Sequence, residues 1–240
     1  MDPLTAVAAS GLRARMESLD LLANNLANAS TGGYKADREF YSLYTAPEAA
    51  DSANSSMPLI ERPWTDLSQG VLHETGNPLD VALSGPGFFA VNGPAGPLYT
   101  RNGNFRLSPA GALVTADGYA VRGAAGAPVN LQSSQPVEIS SDGTIRQNGL
   151  VTGKLEIVDF TGSDGIAKQG ANYFRGANTA PAPAATQVAQ GKLEDSNTGS
   201  AEAAVRLVSV MRQFETLQKA ISLGAEMNRQ AIEQVAKVGT

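Results

Sequence analysis

The sequence has 240 residues, a formal net charge of −5 and a hydrophobic fraction of 42%. Its apolar content is sufficient for a buried core, whereas its acidic balance disfavours nucleic acid as a partner. It contains no cysteine and a single histidine, which excludes disulfides, thiolate metal sites and cysteine nucleophiles.

The N-terminus does not have the pattern of a secretory signal. Its first residues, Met1-Asp2-Pro3, are acidic rather than basic, and charged residues interrupt the stretch that follows. The sequence also lacks a run of about 18 apolar residues. We therefore expect neither a cleaved signal peptide nor a membrane-spanning helix.

The first predicted element is a helix. Leu12, Leu19 and Leu26 recur every seven residues, and Leu22 lies between them. This spacing predicts a narrow apolar stripe of the coiled-coil kind. The Ser-Thr-Gly-Gly stretch at 30–33 predicts the end of the helix, since glycine suits a left-handed C-cap.

The middle of the chain predicts short antiparallel strands arranged as a meander or a small barrel. Leu79, Val81 and Leu83 alternate with other residues, as in a strand with one buried face. Asn102-Gly103 predicts a type I′ hairpin turn. Later turns are predicted where glycine follows Pro-Ala or Asp, at 108–111, 117–118 and 142–143.

A second long helix is predicted at about 200–237. Leu207, Phe214 and Ile221 occupy one heptad position, and Val210 and Leu217 occupy the other. A helix of roughly 38 residues extends about 55 Å, so it needs a partner for its apolar stripe.

The predicted fold class is therefore α+β, with long terminal helices that form a coiled-coil-like pair and a β-rich antiparallel middle domain. The expected organisation is helical at 1–35 and 200–240, loop or linker at 36–63, β-rich at 64–176 and linker at 177–199. Three arrangements of the termini remain open: a stalk, contacts with other copies, or a helical hairpin lying on the β-domain.

No motif predicts catalysis. His73 is the only histidine available for a catalytic triad, with Asp66, Glu74 or Asp80 to orient it, and a lone histidine beside Glu74 is typically a surface residue. Residues 149–154 are one position short of the phosphate-loop pattern. A carboxylate pair for glycoside hydrolysis is compatible with the spacing, but the chain has one tryptophan to form a sugar cleft. We predict no enzyme, cofactor or metal site.

Specific sequence motifs say more about the family of this protein than the spacing of its apolar residues does. Residues 22–35, LANNLANASTGGYK, closely resemble the N-terminal signature of bacterial flagellar rod and hook proteins, A-N-N-L-A-N followed by T-x-G-[FY]-K. Further blocks that resemble this family follow in family order, at 69–83, 87–89, 99–105, 193–197 and 212–221. Two departures, Thr198-Gly199 in the usual S-N-V-N and Gly32 in the usual T-N-G-F-K, lie near helix ends.

The resemblance implies a structural subunit of the flagellar basal-body rod that forms part of an axial, torque-transmitting drive shaft. It implies export through the flagellar type III apparatus without a cleaved signal, a place in the rod in the periplasmic space, and other rod proteins and copies of itself as partners. Residues 212–219 are more similar to the proximal rod protein than to the distal one. The distal rod protein and other axial paralogues remain alternatives, as does a soluble β-domain with a binding or enzymatic role.

We predict that the apolar stripes of the two helices pack together and that three asparagines, facing away from the pair, hydrogen-bond to adjacent subunits. The predicted assembly interface comprises Leu12, Leu19, Leu22, Asn24, Asn25, Leu26, Asn28, Leu207, Val210, Phe214, Leu217 and Ile221.

Overall fold

The structure is a computed structural model that describes residues 3–39, 41–45, 56–60, 63–160, 165–170, 172–177 and 179–238. The chain divides into two compact units that alternate along the sequence. The helical unit comprises Met1–Ala27, Ala36–Asp66 and Thr198–Thr240, and the β-rich unit comprises Asn28–Lys35 and Leu67–Asn197.

The helical unit contains both long helices and four short strands. Its described elements are α1 (Pro3–Ala27), β1 (Asp37–Arg38), β2 (Tyr41–Thr45), β3 (Ser56–Ile60), β4 (Trp64–Thr65) and α2 (Ser200–Val238). β1 pairs with β4 and β2 pairs with β3, both antiparallel. Short strands therefore occupy parts of the segment 36–63 that was expected to be a loop, while residues 40, 46–55 and 61–62 of that prediction lie outside the described residues.

The end of α1 differs from the prediction, because the helix stops before the Ser-Thr-Gly-Gly stretch at 30–33, whereas α2 follows its predicted range. α1 ends at Ala27, and the backbone then turns through a hydrogen bond from Thr31 N to Asn28 O of 3.0 Å. α2 matches the predicted range and carries Glu202 in its first turn, where a carboxylate interacts favourably with the helix dipole.

The β-rich unit consists of antiparallel strands. They are β5 (Leu72–Glu74), β6 (Val81–Ser84), β7 (Phe88–Gly93), β8 (Gly96–Thr100), β9 (Arg106–Leu107), β10 (Leu113–Val114), β11 (Ala120–Val121), β12 (Val137–Ile139), β13 (Thr144–Gln147), β14 (Leu150–Lys154), β15 (Ile157–Phe160), β16 (Ile166–Gly170), β17 (Tyr173–Gly176), β18 (Thr179–Pro181), β19 (Gln187–Gln190) and β20 (Lys192–Glu194). The main sheet has the order β16-β17-β8-β7-β11-β10-β9, and β15 pairs with both β7 and β18.

The core lies on both faces of the main sheet. Side chains alternate along β7, so Phe89 and Val91 enter one cluster of buried residues whereas Phe88 and Ala90 enter the other. In β6, Ala82 is as completely buried as its neighbours. The expectation of a strand with one exposed face at 79–83 was therefore wrong, because β6 is covered on both sides.

The segment 177–199 was expected to be a linker but forms part of the β-rich unit. β18 pairs with β15, β19 pairs with β6, and β20 pairs with β5. The alanines and prolines that suggested a linker fall largely in the turn between β18 and β19. The family blocks at 77–83 and 193–197 are thereby brought into the same unit.

Asn102-Gly103 does not form the predicted hairpin. β8 ends before it and pairs with β7 and β17, and neither Asn102 nor Gly103 has a positive φ. Gly103 is instead required by close approach, because a Cβ built there would lie 1.6 Å from the Val81 carbonyl oxygen. The hairpin of this type lies at Asn148-Gly149, with φ values of +50° and +78° between β13 and β14.

Replacing Gly103 with Ala is expected to destabilise the β-rich unit by about 1–3 kcal/mol, since overpacking forces the backbone away from β6. A urea unfolding curve followed by circular dichroism measures the loss. Gly149→Ala is the comparison, because no atom lies within 4 Å of the added Cβ and only its positive φ is strained. Equal stability of wild type and Gly103→Ala would contradict this explanation.

Candidate assembly interface

α2 carries one continuous half-buried stripe. Its members lie alternately three and four residues apart, as in a coiled-coil seam, and are Leu207, Val210, Phe214, Leu217, Ile221 and Gly224. Ala203, one turn earlier, is fully buried. α1 and α2 contact each other within the helical unit. The five predicted seam residues of α2 therefore share one face.

The buried face of α1 differs from the predicted one. Among the side chains described on α1, at 9–27, the fully buried ones are Ala14, Ser18, Leu22 and Asn25, spaced four, four and three residues apart. The leucines of the predicted stripe, Leu12, Leu19 and Leu26, are half-buried and lie along the edge of this face. The predicted stripe lies to one side of the buried face. It was located from apolar residues alone, whereas Ser18 and Asn25 in this face are polar.

Asn25 is not available to adjacent subunits, which corrects that part of the prediction. Its carboxamide Nδ2 donates to the carbonyl oxygen of Asp37 at 2.7 Å, and its Oδ1 accepts from Asp37 N at 3.0 Å. Ser18 donates similarly to the carboxylate of Glu39. Asn25 is buried because it satisfies both backbone groups of Asp37 and so joins the last turns of α1 to β1.

The other two predicted asparagines have different environments. Asn24 is exposed, and Asn28 lies half-buried just beyond α1, where its Oδ1 accepts a hydrogen bond from Thr31 Oγ1 at 3.3 Å. The role of Asn24 toward an adjacent subunit therefore stays a prediction, whereas Asn28 helps to form the turn that follows the helix.

Replacing Asn25 with Ala is expected to destabilise the junction between the last turns of α1 and β1 by about 1–3 kcal/mol, because both backbone groups of Asp37 lose their partner. Trp64, the only tryptophan, pairs with Arg38 beside Asp37, so its fluorescence during urea unfolding reports the change. Asn24→Ala, at an exposed position, is expected to change stability by less than about 0.5 kcal/mol. Identical unfolding curves for the two variants would contradict the assignment.

Three charged side chains form a buried charge cluster in the β-rich unit, consisting of Lys35, Arg101 and Glu194. Lys35 Nζ donates to Glu194 Oε1 at 2.6 Å, and Arg101 Nη1 donates to Glu194 Oε2 at 3.2 Å. Glu194 Oε1 also accepts from the backbone N of Gly70 at 2.9 Å. The side chains of Lys35 and Glu194 are completely buried, so the cluster is shielded from solvent.

The electrostatics of the charge cluster make it dependent on Glu194. Burial lowers the pKa of the Arg101 guanidinium, and the charge of Glu194 opposes this effect. Two cations share one carboxylate, so further contacts are needed: Lys35 donates to the carbonyl oxygen of Ser68 at 2.6 Å, and Arg101 to that of Gly85 at 2.8 Å. Within the described part of the chain, Arg101 Nε has no hydrogen-bond partner.

The segment before Lys35 is bound tightly to the body of the β-rich unit. A Cβ at Gly33, where φ is +68°, would lie 2.5 Å from the backbone N of Asn102. The Lys168 ammonium lies 4.5 Å from the centre of the Tyr34 ring, and Tyr34 O accepts from Asn197 N at 3.2 Å. Gly33, Tyr34 and Asn197 are therefore held together within the β-rich unit.

The sequence did not identify the charge cluster as a site. A signal was present, because Lys35, Arg101 and Glu194 each stand in a different block of the family signature. Charged residues that lie in separate motifs of one family are candidates for ion pairs with one another. The structure brings these three blocks together at one place.

Among the described residues, His73 contacts one carboxylate and lies at the surface. Its Nδ1 lies 3.0 Å from Asp195 Oδ1, and both side chains are about half exposed. Among the residues that the structure describes, no group of three or more His, Asp or Glu side chains could hold a metal ion. A search of the same residues finds no helix with the length and apolar content needed to cross a membrane.

The chain has two long terminal helices that contact each other and a β-rich unit whose signature residues pack within it. These are features of a structural subunit. Family models agree with this class. "Flagella basal body rod protein" matches residues 6–35, "Flagellar hook protein FlgE/F/G D1 domain" matches 82–147, and "Flagellar basal body rod FlgEFG protein C-terminal" matches 189–234.

Curated relatives are similar over nearly their whole length. The FlgF basal-body rod protein of Caulobacter vibrioides is 32% identical, over 99% of this chain and all of the relative. FlgF of Mesorhizobium japonicum is 32% identical over 95% of both chains, and FlgG of Bacillus subtilis is 31% identical over 93% of this chain and 95% of its own. The chain belongs to the flagellar basal-body rod protein family. It is a structural, non-enzymatic subunit of the flagellar basal body, as the signature blocks predicted.

Proposed function

We propose that this chain polymerises through α1 and α2 into the rod, where the packed helices form an axial drive shaft that transmits torque. The observation that carries the proposal is the seam on α2, which α1 covers only in part. Apart from Ala203, the side chains described on α2 are half-buried or exposed, and several large apolar ones remain open to solvent: Val205, Val208, Met211, Leu223 and Met227. Neighbouring subunits would cover them.

The two helices would form an antiparallel, coiled-coil-like pair. The segment that follows α1 and the segment that precedes α2 hydrogen-bond to each other, from Asn197 N to Tyr34 O. The end of α1 and the start of α2 would therefore lie near each other, and contacting helices connected in this way would run in opposite directions. Complete burial of a large apolar side chain contributes about 1.5–3 kcal/mol, so half-burial of the seam leaves much of this contribution to assembly.

The free subunit would keep its termini largely disordered, because isolated helices with half-buried stripes are marginal in water. The last turns of α1, which Asn25 joins to β1, would retain the most order. Loose termini suit passage through the flagellar type III export apparatus without a cleaved signal, and they prevent polymerisation before the subunit reaches the periplasmic rod. Partners would be other rod proteins and copies of the same chain.

Within the family, the position at the proximal end of the rod is supported by residues 212–219, RQFETLQK, which are more similar to the proximal than to the distal rod protein. Identity alone does not separate the two, since FlgF and FlgG relatives reach 32% and 31%. A distal or other axial position is the alternative, and incorporation into rods lacking either paralogue distinguishes them.

Deletion of residues 1–30 or 205–240 tests the proposal. Neither truncated chain is expected to enter the rod or to restore swimming to cells that lack the native gene. Truncated chains that still join the rod and support swimming would contradict it. His73→Ala is the matched control for the alternative, a β-domain with a chemical role. It should leave swimming unchanged, because the contact between His73 and Asp195 is exposed to solvent.

A further inference from the structure

α2 is much longer than the helix it contacts. It has 39 residues and α1 has 25, so α2 is 14 residues longer. At about 1.5 Å per residue, the helices extend roughly 58 Å and 37 Å. The half-buried stripe of α2 stops at Gly224, and every later side chain that the structure describes is exposed. We call residues 225–238, the last 14 residues of α2, the overhang, because α2 is longer than α1 by this number of residues.

The overhang has the pattern of an interface rather than of a solvated helix end. Met227 is 64% exposed, and Leu223, one turn before it, is 67% exposed. In the sequence, Ala231 and Val235 continue the heptad register that begins at Leu207, although Gly224 and Asn228 interrupt it. Large apolar side chains therefore remain exposed on α2 where its half-buried stripe ends.

Charge on the overhang is arranged around one arginine. Arg229 lies between Glu226 and Glu233, at nitrogen–oxygen distances of 3.9 Å and 3.8 Å. Ion pairs of this length on an exposed helix contribute little and can be exchanged for pairs with another chain.

The outer face of α1 offers a complementary surface. Met16 is 55% exposed on this face, and Arg13 and Asp20 lie on either side of it. Since the two helices of the proposed pair are antiparallel, a subunit of the same polarity presents its α1 antiparallel to the overhang. If Arg229 of the overhang lies opposite Asp20 of the antiparallel α1, then Glu233 of the overhang lies toward Arg13 of that α1.

We propose that the overhang of one copy packs on the outer face of α1 of the next copy, with Arg229 beside Asp20. This inference rests on the proposed function. The two surfaces are different patches of the same chain, so the contact is heterologous and continues from copy to copy instead of closing into a pair. A rod that grows along its axis needs a contact of this kind.

Disulfide crosslinking tests the inference cleanly, because the native chain has no cysteine. Asp20→Cys and Arg229→Cys chains with tags of different size are expressed together in cells that lack the native gene. After mild oxidation, a heterodimer carrying both tags is expected in isolated basal bodies, at least ten-fold above the control. The control replaces Asp20→Cys with Val151→Cys, which is also at an exposed position, in β14.

The outcomes separate the inference from the proposed function. Swimming cells whose rods contain both variants but yield no heterodimer above the control would overturn the inference and leave the proposed function intact. Wild-type chain that never enters rods would overturn the proposed function and the inference with it. A heterodimer in swimming cells would support both.

Discussion

Replacing Glu194 with Gln is expected to lower the free energy of unfolding of the β-rich unit by about 3–5 kcal/mol. Glutamine keeps the shape of the side chain but removes the only carboxylate in the charge cluster. Lys35 and Arg101 would then both lose the buried carboxylate that they share. Neither can move to solvent, since both side chains are almost completely buried.

The chain provides a matched control for this substitution. Glu74 pairs with Lys192 at 3.1 Å on the neighbouring strands β5 and β20, but its side chain is 79% exposed. Glu74→Gln is therefore expected to cost less than about 1 kcal/mol. Urea unfolding followed by circular dichroism compares the two variants. A similar small loss for both would show that the charge cluster does not hold this unit together.

Replacing Leu217 with Asp is expected to abolish swimming. Leu217 lies at the centre of the half-buried seam of α2, and a carboxylate there would be desolvated without a partner when the helices pack. The β-rich unit should remain folded, because Leu217 belongs to the helical unit. The defect is therefore expected in rod assembly and not in the amount of folded protein.

Gln218→Asp is the control that distinguishes the effect of a carboxylate within the seam from the effect of added negative charge on α2. It introduces the same carboxylate one residue further along α2, at an exposed position, and is expected to support swimming. Swimming on soft agar and the presence of each variant in isolated basal bodies are the measurements. Normal incorporation of Leu217→Asp would contradict the role of the seam.

Periodic segments were predictable, and short ones were not. α2 was predicted closely because five apolar residues repeat in register over three heptads, and the turns at 108–111 and 142–143 followed from glycine chemistry. β18, β19 and β20 were missed because each has only three or four residues, and their partners lie far away in the sequence. Segment 177–199 therefore read as a linker although it completes the unit.

The charge cluster shows a second limit of sequence reasoning. Glu194 is separated from Arg101 by 93 residues and from Lys35 by 159 residues, so no local pattern relates them. Asn25 was misassigned for a similar reason, since an asparagine on a helix reads as polar and exposed until a backbone partner such as Asp37 is known. In both cases a polar residue that was expected to be exposed is buried, because a partner distant in the sequence satisfies its hydrogen bonds.

The central claim is that the helices become stable only when copies assemble. Amide hydrogen exchange along α2 and the first half of α1 tests it directly, by comparing dilute purified chain with isolated rods. We predict fast exchange in the dilute chain and strong protection in the rod, because α1 alone covers little of α2. Strong protection of both helices in dilute chain that shows no association would contradict the account.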